Sequence, residues 1–302
     1  MLDITRIDHI SMAVSDAEAQ VQFLEGLLGF EATGTWTEQT DGYRGVNLRV
    51  PGRSDINWEV LEPLRPDSFV QRFLDSPMGP GLHHVTFEVP DVDATVEQLR
   101  DVNIEPWGDP PPVGEHWREV FIHPRDGHGF LFQFAGRHDH DADDDEPAAR
   151  APHEPGRPAL GITAINHLSH SHPDRTALAF WYERVFGMQG IFASDASGGP
   201  FSTAVLETPT QQMRWEVLQP SGPGSFVQRF LDERGPTMHH VTFEVGDWRQ
   251  AVDACGDHDV PMFGEREGVT DGARWREAFI HPRHTGGLLI QFFWEERPGV
   301  WI

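Results

Sequence analysis

The chain has 302 residues, 48 acidic against 23 basic, and a net charge of −25 with neutral histidines. That surplus argues against nucleic acid or an anionic membrane as the main partner. The single cysteine, Cys255, excludes an intrachain disulfide and a thiolate metal cluster. No stretch is long enough to span a bilayer, and the opening residues lack the apolar core of a leader, so a soluble, cytoplasmic protein is expected.

In chain order, residues 6–14 alternate as a strand. Residues 16–28 read as a helix, with Ser15 or Asp16 as its cap and Gly29 as its stop. Residues 43–50 and 56–62 read as strands, 68–74 as a short helix and 83–89 as a strand. Residues 91–102 read as a helix with an apolar stripe of Val92, Val96 and Leu99, and strands over 119–123 and 129–134 follow. Residues 136–158 are acidic, rich in proline and without large apolar side chains, the composition of a flexible linker. His138 and His140 within it read as part of a solvated charge run rather than as a metal trap. Beyond it come a strand over 162–170, a helix over 174–186, and strands near Phe201, Met213, His239, Trp275 and Gly287.

The second half resembles the first because the sequence repeats. Ser68-Phe-Val-Gln-Arg-Phe-Leu-Asp75 returns as Ser225-Phe-Val-Gln-Arg-Phe-Leu-Asp232, and Trp117-Arg-Glu-Val-Phe-Ile-His-Pro-Arg125 as Trp275-Arg-Glu-Ala-Phe-Ile-His-Pro-Arg283. A unit of this length is a duplicated domain, not a solenoid repeat. The expected domains are 1–135 and 159–302, joined by the linker 136–158. Each holds about two β-α-β-β-β modules, an α+β fold with four modules in all.

Strand alternation sorts the polar residues by face. His83, Val85, Phe87 and Val89 share an apolar face, and His84 lies on the other. By the same test His9, Glu59 and Gln133 leave the apolar faces of their strands, and His167, Glu216, His240 and Gln291 repeat the pattern. A His, Glu, His, Gln set supplies nitrogen and oxygen ligands suited to a divalent first-row ion. Arg118 and Arg276 are candidate grips for an anionic substrate group, with a surface ion pair as the alternative. His123 and His281 precede proline and are expected to shape turns. Trp58 and Trp215 share faces with aliphatic residues and are expected in the core.

These stretches resemble the vicinal oxygen chelate superfamily, also called the glyoxalase, bleomycin-resistance and dioxygenase superfamily, and most of all its methylmalonyl-CoA epimerase branch. The matching residues are Ile7-Asp8-His9-Ile10, Glu59-Val-Leu-Glu-Pro63, Gly81-Leu-His-His84, Ile122-His-Pro124 and Gly129-Phe-Leu-Phe-Gln133, with their counterparts in the second copy. The resemblance implies paired modules forming a cupped sheet around one metal ion per copy, the whole being a fused pseudo-dimer. Its ligand positions map to His9, Glu59, His84 and Gln133, and to His167, Glu216, His240 and Gln291. The implied cofactor is a divalent ion, one per domain: zinc, nickel, cobalt, manganese or iron(II). The implied partner is a small molecule bound through two neighbouring oxygens, and the protein is a monomeric pseudo-dimer or a homodimer.

The chain departs from the epimerase pattern at two places. Gln133 and Gln291 stand where epimerases carry a glutamate, and Asn47 and Val205 stand where those enzymes carry a second one. That alignment leaves one carboxylate per site, whereas moving a proton between two faces takes two bases. Three functions follow from the resemblance. The first is an isomerase or lyase that stabilises an enolate or enediolate, with Glu59 or Glu216 as its base. The second is a non-haem iron(II) ring-cleavage dioxygenase, built on the two-histidine, one-carboxylate triad. The third is a protein that sequesters a small molecule.

Overall fold

The computed structural model describes residues 1–108, 117–137, 159–195 and 199–299. His138, His140 and the rest of the expected linker from residue 138 onward lie outside the described residues. The first half runs β1 (Arg6–Ala13), α1 (Ala17–Phe23), β2 (Glu31–Glu38), β3 (Tyr43–Arg49), β4 (Asn57–Pro63), α2 (Phe69–Leu74), β5 (Gly81–Glu88), α3 (Val92–Asp101), β6 (Trp117–Ile122) and β7 (Leu131–Arg137). The second half runs β8 (Ile162–Ser171), α4 (Arg175–Phe186), β9 (Gln189–Ser194), β10 (Phe201–Glu207), β11 (Arg214–Pro220), α5 (Phe226–Arg234), β12 (Thr237–Val245), α6 (Trp248–Asp257), β13 (Met262–Thr270), β14 (Ala273–Ile280) and β15 (Ile290–Glu295).

Side-chain caps start every helix, and they recur in both copies. Asp16 accepts from the Ala19 amide at 3.0 Å, and Asp174 accepts from Ala177 at 3.0 Å. Ser68 and Ser225 cap α2 and α5 through the Val70 and Val227 amides. Each cap satisfies an amide that the first helical turn leaves without a backbone partner. α1 continues through a π turn, Leu24–Leu28, and Gly29 ends it at φ 74°. In the second copy Gly187 ends α4 at φ 70°.

The strands form two sheets. The first has the order β2-β3-β4-β1-β5-β7-β6, and the second β13-β14-β15-β12-β8-β11-β10-β9. Each half of the sequence forms one of the sheets, as the repeat leads one to expect. The same strand set contains three members that the alternation test does not find: β2, β9 and β13. All three are sheet edges. β9 is exposed along its whole length, and β13 nearly so. An edge strand with little buried on either face shows no two-residue apolar period.

The apolar core does not follow the repeat. One compact unit takes the described residues within Met1–Ser11, His83–Asp145 and Leu168–His239, and therefore draws on both halves of the sequence. Its centre is aromatic: Phe186 lies 5.1 Å from Phe87 and 5.0 Å from Phe132, and Tyr182 lies 5.2 Å from Trp215. The other unit takes the described residues within Met12–Leu82, Glu146–His167 and His240–Ile302. There Phe30 packs edge-on against Trp58 and Phe243, at 5.7 and 5.9 Å. Trp58 and Trp215 are fully buried, as their alternation predicts.

Candidate metal centres

Four consecutive strands of each sheet carry the four residues singled out by alternation. In the first sheet β4, β1, β5 and β7 bear Glu59, His9, His84 and Gln133. In the second, β11, β8, β12 and β15 bear Glu216, His167, His240 and Gln291. One ligand atom from each of His9, Glu59 and His84 lies within 4.8 Å of the others, and the same holds for His167, Glu216 and His240. The parallel registers set Thr86 beside Gln133 and Thr242 beside Gln291. The glutamines join their groups through these neighbours.

In the first site the His9 Nδ1–H donates to Asp8 Oδ2 at 2.8 Å, so Nε2 carries the lone pair. That nitrogen lies 2.9 Å from Thr86 Oγ1, and the same hydroxyl donates to Gln133 Oε1. His84 shares a proton with His83 between their Nδ1 atoms at 2.8 Å, and Ser11 Oγ stands 3.1 Å from its Nε2. Burial holds His84 well below the usual imidazole range, with neighbouring His83 and His9 acting in the same direction. Burial also pushes His83 down to about 4. Neutral imidazoles are the form that binds a metal ion.

The second site is built alike from different partners. His167 Nδ1 donates to Asn166 Oδ1 at 2.8 Å, and its Nε2 lies 2.9 Å from Thr242 Oγ1. Gln291 Oε1 accepts from Thr242 at 2.8 Å and lies 3.1 Å from His240 Nε2. Ser169 donates to Glu216 Oε2, and Thr203 donates to Glu216 Oε1 at 2.9 Å.

In both sites a single threonine proton faces two acceptors, an imidazole nitrogen and an amide oxygen. Such convergence of lone pairs is the donor chemistry of a cation site, so a divalent ion fits these residues.

The site also contains groups that the strand alignment does not count. Gln133 Nε2 donates to Glu119, and Gln291 Nε2 donates to Glu277 at 3.1 Å. A second carboxylate therefore stands behind the glutamine in each site, where the alignment gave one carboxylate per site. Only the strand register reveals it: Glu119 alternates with Phe121, whose partner across the ladder is Gln133, and Glu277 alternates with Phe279, paired with Gln291. Glu277 is 1% exposed and also pairs with Arg266.

The remaining candidates resolve as structural groups. Arg118 forms a two-armed pair with Asp93, at 2.7 and 2.9 Å, and Arg276 pairs with Glu267 at 3.0 Å. His123 and His281 each accept from the amide two residues on, at 3.2 Å, and so hold their turns. Cys255 is buried, and burial pushes its thiol up to about 12. No helix among the described residues is long and apolar enough to cross a membrane.

Two sheets, each with a His, Glu, His, Gln set on four adjacent strands, define a duplicated fold with a candidate metal centre in each copy. A profile of the glyoxalase/bleomycin resistance protein/dioxygenase superfamily matches residues 8–121 and again 166–279. The chain belongs to this superfamily. The ethylmalonyl-CoA/methylmalonyl-CoA epimerase of Cereibacter sphaeroides is 30% identical over 132 residues, 43% of this chain and 96% of that protein. Human mitochondrial methylmalonyl-CoA epimerase is 28% identical over 43% of this chain and 73% of its own length. Among solved structures, a mutant 4-hydroxymandelate synthase from Streptomyces coelicolor has the same fold over 98% of this chain and 94% of its own, with a TM-score of 0.71 and 17% identity.

Proposed function

We propose that this chain is a divalent-metal-dependent isomerase or lyase that acts on a small molecule through two neighbouring oxygens. The observation that carries the reading is the His, Glu, His group with ligand atoms within 4.8 Å, present twice. His9, Glu59, His84 and Gln133 would hold one ion, and His167, Glu216, His240 and Gln291 the other, as zinc, nickel, cobalt, manganese or iron(II). A bound ion supplies Lewis acidity, which stabilises negative charge developing on the substrate oxygens.

The chain's own residues do the rest. Asp8 and Asn166 fix the tautomers of His9 and His167, while Thr86 and Thr242 orient the glutamine oxygens. Glu59 and Glu216 serve as bases that take a proton from carbon onto a carboxylate oxygen. Opposite them in the ladders stand Asn47 and Val205, neither of which can take a proton. Glu119 and Glu277 are tied to the glutamine amides. Each site therefore handles a proton on one face of its substrate. The relatives named for ethylmalonyl-CoA and methylmalonyl-CoA make acyl-CoA thioesters the first class to assay. The expected setting is the cytoplasm, and the expected state is a monomeric pseudo-dimer or a homodimer.

The triad of two histidines and a glutamate also favours a second reading, a non-haem iron(II) dioxygenase. Metal analysis of anaerobically purified protein separates the two, for the wild type, His84→Ala and His240→Ala. About two zinc, nickel, cobalt or manganese ions per chain, one lost with each histidine, support the isomerase or lyase. Iron(II) with oxygen uptake on catechol-like compounds supports the dioxygenase. Absence of any bound metal sinks both and leaves a sequestering protein.

A further inference from the structure

We infer that the two centres are unequal: the first holds its ion more tightly, and Asp8 is the positioning residue that makes it so. This rests on the metal reading above and adds a ranking of the two sites.

The ranking comes from what stands behind the first histidine of each set. In the first site His9 Nδ1 donates to a carboxylate, Asp8 Oδ2, at 2.8 Å. In the second, His167 Nδ1 donates to a neutral amide, Asn166 Oδ1, at the same distance. Both contacts fix the ring and leave Nε2 as the lone pair. Only the carboxylate adds negative charge behind the imidazole, and so strengthens Nε2 as a ligand. Asp8 is 8% exposed, so water screens it little. Its other oxygen takes Arg6 at 3.0 Å, which tempers the charge without occupying the oxygen that serves His9. The repeat places Ala164 where the first copy has Arg6. The second copy therefore lacks the carboxylate together with its cation, a coherent difference.

The test is a titration of metal-stripped full-length protein with cobalt(II) or zinc(II) against a chromophoric chelator, which reads affinity directly. His167→Ala leaves the first site alone, and His9→Ala leaves the second. The expected result is two affinities about 10–100-fold apart, the tighter one in His167→Ala. Adding Asp8→Asn to His167→Ala should weaken the first site about tenfold or more. Adding Asn166→Asp to His9→Ala should tighten the second, a gain that damage to the fold cannot produce. Two ions bound with one common affinity, or an unchanged first site in the Asp8→Asn protein, would overturn the ranking while leaving the metal reading in place. Failure of the wild type to bind either ion would overturn the metal reading itself.

Discussion

Gln291 turns its amide nitrogen to the carboxylate of Glu277, 3.1 Å away, and its amide oxygen to Thr242 and His240, at 2.8 and 3.1 Å. The carboxylate can only accept, so it dictates which end of the amide faces the candidate ligands. Glu277→Ala removes that instruction and strips buried partners from Gln291 and Arg266. The expected cost is about 1–3 kcal/mol of stability, with affinity at the second centre falling about tenfold and the first unaffected. Glu277→Gln, whose carbonyl can still accept, should lose less of both. Urea denaturation and ion titration check the two effects. Lost stability with an unchanged ion affinity would make Glu277 a packing residue only.

Chelation gives a second prediction. An ion that binds only the folded chain stabilises it by about 2.7 kcal/mol when present at one hundred times its dissociation constant. Stripping the protein with a chelator should therefore lower the melting temperature, and restoring zinc or cobalt should raise it. His84→Ala should lose the larger part of that response and keep the rest, because the tighter first centre is lost while His240 and its neighbours remain. A melting curve that ignores chelator and metal alike would contradict ion binding at either group.

Alternation sorted the four candidate ligands of each copy onto one face of their strands, and the family resemblance singled them out as ligands, because each strand concerned has a largely apolar opposite face. Ile10 and Met12 in β1, and Val85 and Phe87 in β5, leave their polar neighbours only one way to point. It did not show that the four strands lie side by side in one sheet, since pairing order is a long-range property. Three edge strands gave no signal. Glu31–Glu38 has an exposed or half-exposed side chain at nearly every position, and its pattern reads as loop. Glu119 and Glu277 went uncounted for a different reason. Their role depends on a glutamine in the neighbouring strand, so a test applied to one strand at a time does not see it.

One close backbone approach occurs twice, at matching places of the duplication. Gly129, at φ 91°, lies where an added Cβ would come within 1.6 Å of the Pro236 carbonyl oxygen. Gly287, also at φ 91°, meets the Pro80 carbonyl oxygen in the same way at 2.0 Å. Each contact joins the two halves of the sequence within one compact unit. Alanine at either glycine must adopt a left-handed backbone and also push a carbonyl aside, for an expected cost of about 2–4 kcal/mol. Chemical denaturation of Gly129→Ala and Gly287→Ala checks this. A loss below about 0.5 kcal/mol in either would mean that the halves meet less closely than described.

His170 supplies a pH prediction away from the candidate ligands. It is fully buried, with Nδ1 2.7 Å from the Tyr182 hydroxyl and Nε2 2.9 Å from the His128 carbonyl oxygen. Burial pushes its pKa down to about 3, while the His128 carbonyl acts in the opposite direction and His172 and His128 add small repulsions. A histidine in an unfolded chain titrates near 6.5. Because the folded value lies below the unfolded one, the unfolded state binds the proton first as pH falls. The stability that His170 contributes is complete above about pH 6.5 and is lost between there and pH 3, at up to about 1.4 kcal/mol per pH unit. His170→Gln keeps a polar group in place but cannot titrate. Its unfolding free energy, measured at pH 7, 5 and 4, should fall less steeply than that of the wild type. Equal slopes would assign the acid limb to other buried histidines, such as His83 and His239, which burial also holds near 4.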